Sequence, residues 1–494
     1  MGRRQGTDGE VKLARRATAA GPPDEASLKT LKNWIAVIIA IVIAYQIATL
    51  GRQGLWLDEI FTIMVTRPEQ SLTEIWQKYL QLEDSPPLHY ILMHFWQLAA
   101  PRGDWSMRVP GLYFYILTIA AAALYPCRAM NTAKRITFVA LMGCSFGTVY
   151  FAQEVRSYEL FGLLAICILY DMLDFATVLD SGREPSWIHL GWSAAVGLAT
   201  SYTHVFGFLF FGAAVIALIG YGIARGQIPW RIVLLGSVVF GGFIPWMVIR
   251  FSFPSEVWIT DRPIGVLRGF LRQLLGSPFA AALIAILGLW AVLSRTRAVL
   301  VNRNLGLILA AIGVNLVVSV LTYFHTPILD ERHLTGVRMA TLLGFALVIV
   351  EILSDRRAQA LLIATAVALF VSFILTEKPK ASWREPAAYV IKNTRCDRRE
   401  ILVYYQNLPP WFLSYYLSDE RFVLKGSPFD SGVVQELGRL NETRPGCDVV
   451  AIALNLNPKN PADREAALAA TPFRGPGFHL QEWPNAFVAR RINP

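Results

Sequence analysis

The chain has 494 residues, 54% of them hydrophobic and 17% charged, and carries a net charge of +10. Ordinary soluble domains carry about a quarter charged residues, so this composition excludes a water-soluble enzyme and indicates a polytopic helical membrane protein. The Lys and Arg excess clusters between apolar runs without a groove-reading motif, which assigns it to cytoplasmic loops and not to a nucleic-acid partner.

Residues 1–32 are polar and basic (Arg3, Arg4, Lys12, Arg15, Arg16, Lys29, Lys32) and read as a disordered cytoplasmic tail. The apolar run from Trp34 to Leu50 has no small-residue cleavage site and reads as an uncleaved first span. An acidic pair, Asp58-Glu59, follows it. The run Leu88–Ala100 is short and opens behind Pro86-Pro87, which cannot sit inside a helix. Tyr90, Phe95 and Trp96 suit a headgroup region, so this run is expected to lie on the outer face as an interfacial helix.

Apolar runs follow at Val109–Cys127, Ile136–Ala152, Tyr158–Leu173, Ile188–Thr203, Val205–Ile223 and Ile232–Ile249. Four more lie at Ala280–Leu293, Leu305–Phe324, Leu334–Leu353 and Ala360–Leu375. With the first span these make about eleven transmembrane helices by the length rule. They fill a domain at 33–376, whose first outer loop covers 51–108. The N-terminus is then cytoplasmic. The clusters Arg128/Lys134/Arg135, Arg225/Arg231, Arg295/Arg297/Arg303 and Arg356/Arg357 fall inside, and the C-terminal part falls outside.

The segment 377–494 changes character. Strand-like runs at Glu400–Tyr405, Arg421–Leu424, Asp448–Leu454 and Ala486–Arg490 alternate with helical patterns at Ser382–Asn393, Pro410–Ser418, Gly432–Leu440 and Pro461–Ala470. This predicts a small extracytoplasmic α/β domain. Cys396 and Cys447 each open a Cys-Asp stretch there, and can pair as a disulfide if the strands behind them are neighbours. Cys127, Cys144 and Cys167, in or beside apolar runs, read as packing residues.

On this topology the polar residues of interest gather on the outer face. They are Asp58 and Glu59; Asp84 and His89; Glu154, Arg156 and Tyr158; His204; and Arg332 with His333. Each has a plainer reading. The acidic pair can be a solvated helix cap, Tyr158 an interfacial anchor, Arg156 a snorkelling side chain, Thr203-His204 a capped turn, and Asp330–His333 a charged loop. Against this, ionisable groups at membrane depth are costly and commonly functional. Adjacent carboxylates can divide the roles of base and orienter, and a guanidinium recognises phosphate with two parallel bonds. No glycine-rich phosphate loop, metal finger or serine triad is present, which argues against a nucleotide-dependent enzyme.

The order Leu57-Asp58-Glu59, Asp84-Ser85-Pro86-Pro87-Leu88-His89-Tyr90, Arg108-Val109-Pro110, Gln153-Glu154-Val155-Arg156-Ser157-Tyr158 and Thr203-His204-Val205-Phe206-Gly207 resembles glycosyltransferase family 39-type proteins of the GT-C superfamily. These include protein O-mannosyltransferases and bacterial lipid A aminoarabinose transferases. The stretch Pro327 to Leu334 looks like the family's later Arg-aromatic element, with His333 where the family often has Tyr. The resemblance covers roughly Trp34 to Leu375 and implies a transferase of the bacterial inner membrane that uses a polyprenyl-phosphate-linked sugar. The acceptor is then an envelope lipid, polysaccharide or protein. It implies Asp58 as catalytic base with Glu59 beside it, and Arg156, Arg332, His204 or His333 as stabilisers of the leaving phosphate. Glu154 stands where some relatives carry a second acid, which implies an acceptor contact or a divalent cation. The competing reading is a transporter or flippase of an amphiphilic substrate. The outer acidic pair, the added α/β domain and the lack of duplicated broken helices count against it.

Overall fold

A computed structural model describes residues 24–77, 85–101, 103–252, 263–325, 329–377, 382–393, 401–406, 415–416, 422–424, 449–454, 478–483 and 486–491. The chain falls into two compact units. The first comprises Met1–Ala48, Gln70–Trp96 and Arg108–Glu377; the second comprises Thr49–Glu69, Gln97–Met107 and Lys378–Pro494.

The first unit is a bundle of apolar helices. In chain order the described helices of the chain, the four-residue turn Leu72–Ile75 aside, are α1 (Glu25–Thr49), α2 (Leu57–Val65, in the second unit), α3 (Leu88–Ala99), α4 (Asp104–Leu124), α5 (Thr132–Cys144), α6 (Phe146–Phe151), α7 (Tyr158–Asp180) and α8 (Trp187–Thr203). They continue as α9 (Val205–Ala224), α10 (Trp230–Phe251), α11 (Pro263–Leu275), α12 (Pro278–Leu300), α13 (Arg303–His325), α14 (Thr335–Ile349) and α15 (Arg356–Thr376). Among the described residues nine helices are long and apolar enough to cross a membrane. The two other runs expected to span are helical but fall short of that length. The run Ile136–Ala152 is broken at Ser145, whose extended backbone (φ −63°, ψ 143°) divides it into α5 and α6. The run Ile188–Thr203 forms α8, which is a turn shorter than most spans at 17 residues. The run beginning at Leu88 forms the 12-residue α3, too short to span, as expected.

Burial separates inner from outer helices. The windows that define α7 and the Glu331–Ile352 segment are 78% and 72% buried, so these helices are apolar on all sides because protein surrounds them. In α10, α12 and α13 many of the exposed positions are apolar (Val238, Phe240, Ile244, Leu289, Leu293, Val317, Leu321), as a lipid-facing surface requires. Pro110 and Pro245 sit inside α4 and α10, a tolerance common in membrane helices.

The second unit holds a five-stranded sheet of order β2-β1-β3-β5-β4, with β1 Ile401–Gln406, β2 Phe422–Leu424, β3 Val449–Leu454, β4 Phe478–Trp483 and β5 Ala486–Arg491. Strand β1 runs parallel to β2 and β3, while β5 runs antiparallel to β3 and β4. Helix α16 (Arg384–Asn393) packs on β3 and β5. Four of these strands match the expected runs. The fifth, β4, is an edge strand in which Phe478 and Leu480 alternate with His479 and Gln481; too few apolar residues mark it in sequence. The helices expected at Gly432–Leu440 and Pro461–Ala470, most of Pro410–Ser418, and Cys396 and Cys447 lie outside the described residues. Cys127, Cys144 and Cys167 are free thiols, the last two buried.

Candidate active site

The acidic pair belongs to the second unit and opens α2. Trp56 is its N-cap, and the Glu59 carboxylate accepts the Trp56 N–H at 3.2 Å (Oε2). Glu59 is fully buried, whereas Asp58, one residue earlier, is half-buried. A carboxylate in the first helical turn also meets the positive end of the helix dipole. The two neighbours therefore differ in setting: Glu59 is buried and holds the helix start, and Asp58 is partly exposed. The far end of α2 is tied by Gln97 Nε2, which donates to Thr66 Oγ1 (2.6 Å), Thr66 O (3.0 Å) and Ile63 O (3.1 Å). Leu55, Ile60, Ile63 and Val65 bury the apolar side of the element.

The remaining expected residues lie in the first unit, at helix ends. His89 and Tyr90 open α3, and both are buried. Glu154 and Arg156 lie between α6 and α7, and Tyr158 begins α7. Tyr158 is only 2% exposed, so it is a packing residue rather than a headgroup anchor. Ser85, Pro86, His89, Tyr90, Arg156, Ser157 and Thr203 line one small polar pocket, where Arg156 Nη1 approaches Tyr90 Oη at 3.5 Å. Burial, and then the Arg156 charge, lowers the His89 pKa to about 3, so this imidazole is neutral at any physiological pH.

His204 joins α8 to α9. Its Nδ1 accepts the Phe206 N–H at 3.2 Å, which caps α9 and leaves the ring hydrogen on Nε2. His333, in the 3-10 turn Glu331–Leu334, accepts the Asp330 N–H on Nδ1 at 3.3 Å. The two imidazoles lie with ring centroids 5.0 Å apart; Phe161 stacks on His204 and Phe206 on His333. Tyr158 reaches the same cluster, 5.9 Å from His204. Burial holds His204 well below its ordinary pKa, and the charges of His333, Arg156 and Arg332 push in the same direction. Asp330 accepts from Arg332 through N–H (2.9 Å) and Nε–H (3.0 Å). Burial raises the Asp330 pKa, but Arg332 and His333 outweigh it and bring it down to about 2.

The structure thus brings together His89, Arg156, Tyr158, His204, Arg332 and His333. Asp84 lies outside the described residues. Glu154 is buried where α4 passes closely, since a Cβ at Gly111 would meet Glu154 O at 2.8 Å. Among the described residues no group of three or more His, Cys, Asp or Glu gathers to hold a metal ion.

Tyr90, Ser157 and Thr203, which the sequence marked only as an interfacial aromatic, a motif position and a turn, line the pocket. Two residues were not singled out by sequence: Gln97, which anchors α2, and Arg338, fully buried in α14. Arg338 had a visible signal, an Arg inside an apolar run expected to span the membrane. Gln97 had none.

No protein-family model matches the chain, and no curated protein sequence matches it. Among solved structures, apo ArnT from Cupriavidus metallidurans is similar over 93% of this chain and 98% of its own, with a TM-score of 0.57 and 12% identity. The same protein bound to undecaprenyl phosphate matches over the same shares, with a TM-score of 0.54 and 13% identity. The chain therefore shares the fold of ArnT over 93% of its length.

Proposed function

We propose that the chain transfers a sugar from a polyprenyl-phosphate-linked donor to a hydroxyl of an envelope lipid, polysaccharide or protein. The observation that carries this reading is the gathering of Arg156, Arg332, His204 and His333, in a chain with the fold of ArnT, which is known with undecaprenyl phosphate bound. When the bond between the anomeric carbon and the donor phosphate breaks, the oxygen keeps the electron pair and the lipid phosphate gains a negative charge. Two guanidiniums stabilise that charge with paired N–H donors, and His204 can add Nε2–H.

Asp58 is the proposed general base. The acceptor oxygen attacks the anomeric carbon from the face opposite the phosphate, its proton passes to the Asp58 carboxylate, and the anomeric configuration inverts. Glu59 sets the start of α2 and thereby the direction of Asp58. His89 and Tyr158 shape the phosphate pocket, Asp84 is retained as a donor contact, and Glu154 is assigned to the acceptor. The chain is placed in the bacterial inner membrane with its N-terminus cytoplasmic and its α/β domain on the outer side, where the acceptor is found.

The test uses purified protein in nanodiscs with undecaprenyl-phosphate-linked pentose, hexose and hexuronic acid donors and an envelope lipid extract. Wild type forms a new glycosidic bond with one donor class. Asp58→Asn forms none but still binds undecaprenyl phosphate, and Arg156→Ala and Arg332→Ala lose that binding. Normal turnover by Asp58→Asn would remove the base, and movement of the lipid across vesicles without a new bond would replace the reading with a flippase.

A further inference from the structure

Within the second unit, α2 is held by residues that lie far along the chain. Tyr416 Oη accepts the Leu55 N–H at 2.6 Å and donates to Asp104 Oδ2 at 3.0 Å. Asp104 Oδ2 also accepts from Arg384 Nη1 at 3.3 Å, and the same guanidinium donates to the carbonyls of Gly51 (2.8 Å, from Nη1) and Arg52 (2.6 Å, from Nη2). Gly54 completes the seating, because a Cβ there would lie 1.8 Å from Ser382 Oγ and 2.9 Å from Arg384 Cβ. No other residue type lets the chain pass Ser382 at that distance.

These contacts end where the acidic pair begins. Leu55 and Trp56 present consecutive amide donors; Tyr416 takes the first and Glu59 the second. A shift of the Leu55 amide therefore turns the N-cap, and with it the first helical turn that carries Asp58. Burial and the neighbouring Asp104 carboxylate raise the Tyr416 pKa, so its hydroxyl keeps its proton and remains a donor to Asp104.

We propose that the C-terminal α/β domain is part of the catalytic apparatus, with Tyr416 and Arg384 as positioning residues that aim the Asp58-Glu59 helix through Leu55, Gly51, Arg52 and Asp104. The domain then has a role in the reaction beyond any acceptor it meets. The link from aim to turnover rests on Asp58 acting as base, as proposed above; the hydrogen bonds do not.

Two measurements on the full chain in nanodiscs separate these. The first is amide hydrogen exchange. Tyr416→Phe keeps the ring and removes the hydroxyl, and exchange over residues 55–60 rises roughly five- to ten-fold, the factor for losing one ordinary hydrogen bond, while α7 is unchanged. Unchanged exchange at 55–60 would overturn the proposal. The second is steady-state transfer: Tyr416→Phe lowers kcat with an unaltered KM for the lipid donor and unaltered binding of undecaprenyl phosphate. A raised KM with full kcat would also overturn it. Arg384→Lys, which keeps charge but cannot span both carbonyls, gives an intermediate kcat, and Arg384→Met a lower one; this pair decides the matter if Tyr416→Phe does not fold. If Asp58→Asn turns over normally, the base assignment fails, and the exchange result still decides whether the domain aims α2.

Discussion

His204 and His333 stand 5.0 Å apart, ring to ring, and each yields its Nδ1 to a backbone N–H, from Phe206 and Asp330 respectively. Both therefore direct Nε2 away from the cap they make. Each imidazole is held at a helix end, so two segments distant in sequence deliver hydrogen-bond donors to one place. Arg156 and Arg332 act electrostatically on His204 from that same neighbourhood.

The first prediction concerns acid. His89 and His204 have folded pKa values below 6.5, so below that pH the unfolded chain binds protons that the folded chain refuses. Their stability contribution is intact above 6.5 and falls with pH, by about 1.4 kcal/mol per pH unit per group, down to about 3 for His89. Asp330 acts in a separate window: held at about 2, it stabilises above its ordinary 3.8 and loses that effect as pH falls through 2. Thermal unfolding at about pH 7.5, 6 and 5 should show the decline beginning near the ordinary histidine value, and His89→Phe should roughly halve its slope. An unchanged slope in that variant would rule out His89 as a titrating group.

The second concerns close backbone approach. A Cβ at Gly111 would lie 2.8 Å from Glu154 O and 2.9 Å from Ala152 O, and backbone atoms cannot swing aside as a side-chain tip can. Gly111→Ala should cost about 1–3 kcal/mol and weaken undecaprenyl phosphate binding, because the displaced segment carries Arg156. Gly212→Ala meets nothing within 4 Å and serves as the control, with stability unchanged or slightly raised. Equal melting temperatures for the two would contradict the packing argument.

The third separates the members of the acidic pair. Glu59→Gln keeps an oxygen to accept the Trp56 N–H and should retain most stability and a measurable rate. Glu59→Ala should cost about 1 kcal/mol through the lost cap. Asp58→Asn should leave the melting temperature nearly unchanged and eliminate transfer. The reverse pattern, with Glu59→Gln inactive and Asp58→Asn active, would exchange the roles.

The fourth places stability and chemistry at different ends of α7. Asp171 accepts from Tyr125 Oη and bonds His189 Nε2, both at 2.9 Å on Oδ1, and accepts from Ser193 Oγ at 2.5 Å on Oδ2. It lies thirteen residues along α7 from Tyr158, roughly 20 Å by helical rise. Asp171→Asn should cost about 2–4 kcal/mol as buried donors lose a charged acceptor, yet change undecaprenyl phosphate affinity less than two-fold. A large loss of affinity would mean that the network reaches the cluster.

The spans were legible in sequence because apolar length is a local property; the break at Ser145 was not, since Ser-Phe-Gly carries no strong stop. The position of Tyr158, His204 and His333 at the boundaries of apolar runs was legible, and these residues stand at helix ends. What Glu59 does was not: the usual cap signature begins with Ser, Thr, Asp or Asn, and here the N-cap is Trp56. Arg338 stayed hidden although charged, and its setting explains why it is tolerated. Its guanidinium lies over the Phe151 ring, donates to Gln273 Oε1 at 3.1 Å, and fits only because Gly147 has no side chain. None of those partners is near it in sequence.

Tyr416 follows Leu55 by 361 residues. During synthesis the acidic helix is thus made before its anchor and waits for the segment that carries Tyr416. A chain cut short anywhere before Tyr416 carries Asp58 and Glu59 but not the contact that aims them. Synthesis as far as Tyr416 is thereby built into the geometry of the proposed base, and copies truncated before it would be poor catalysts.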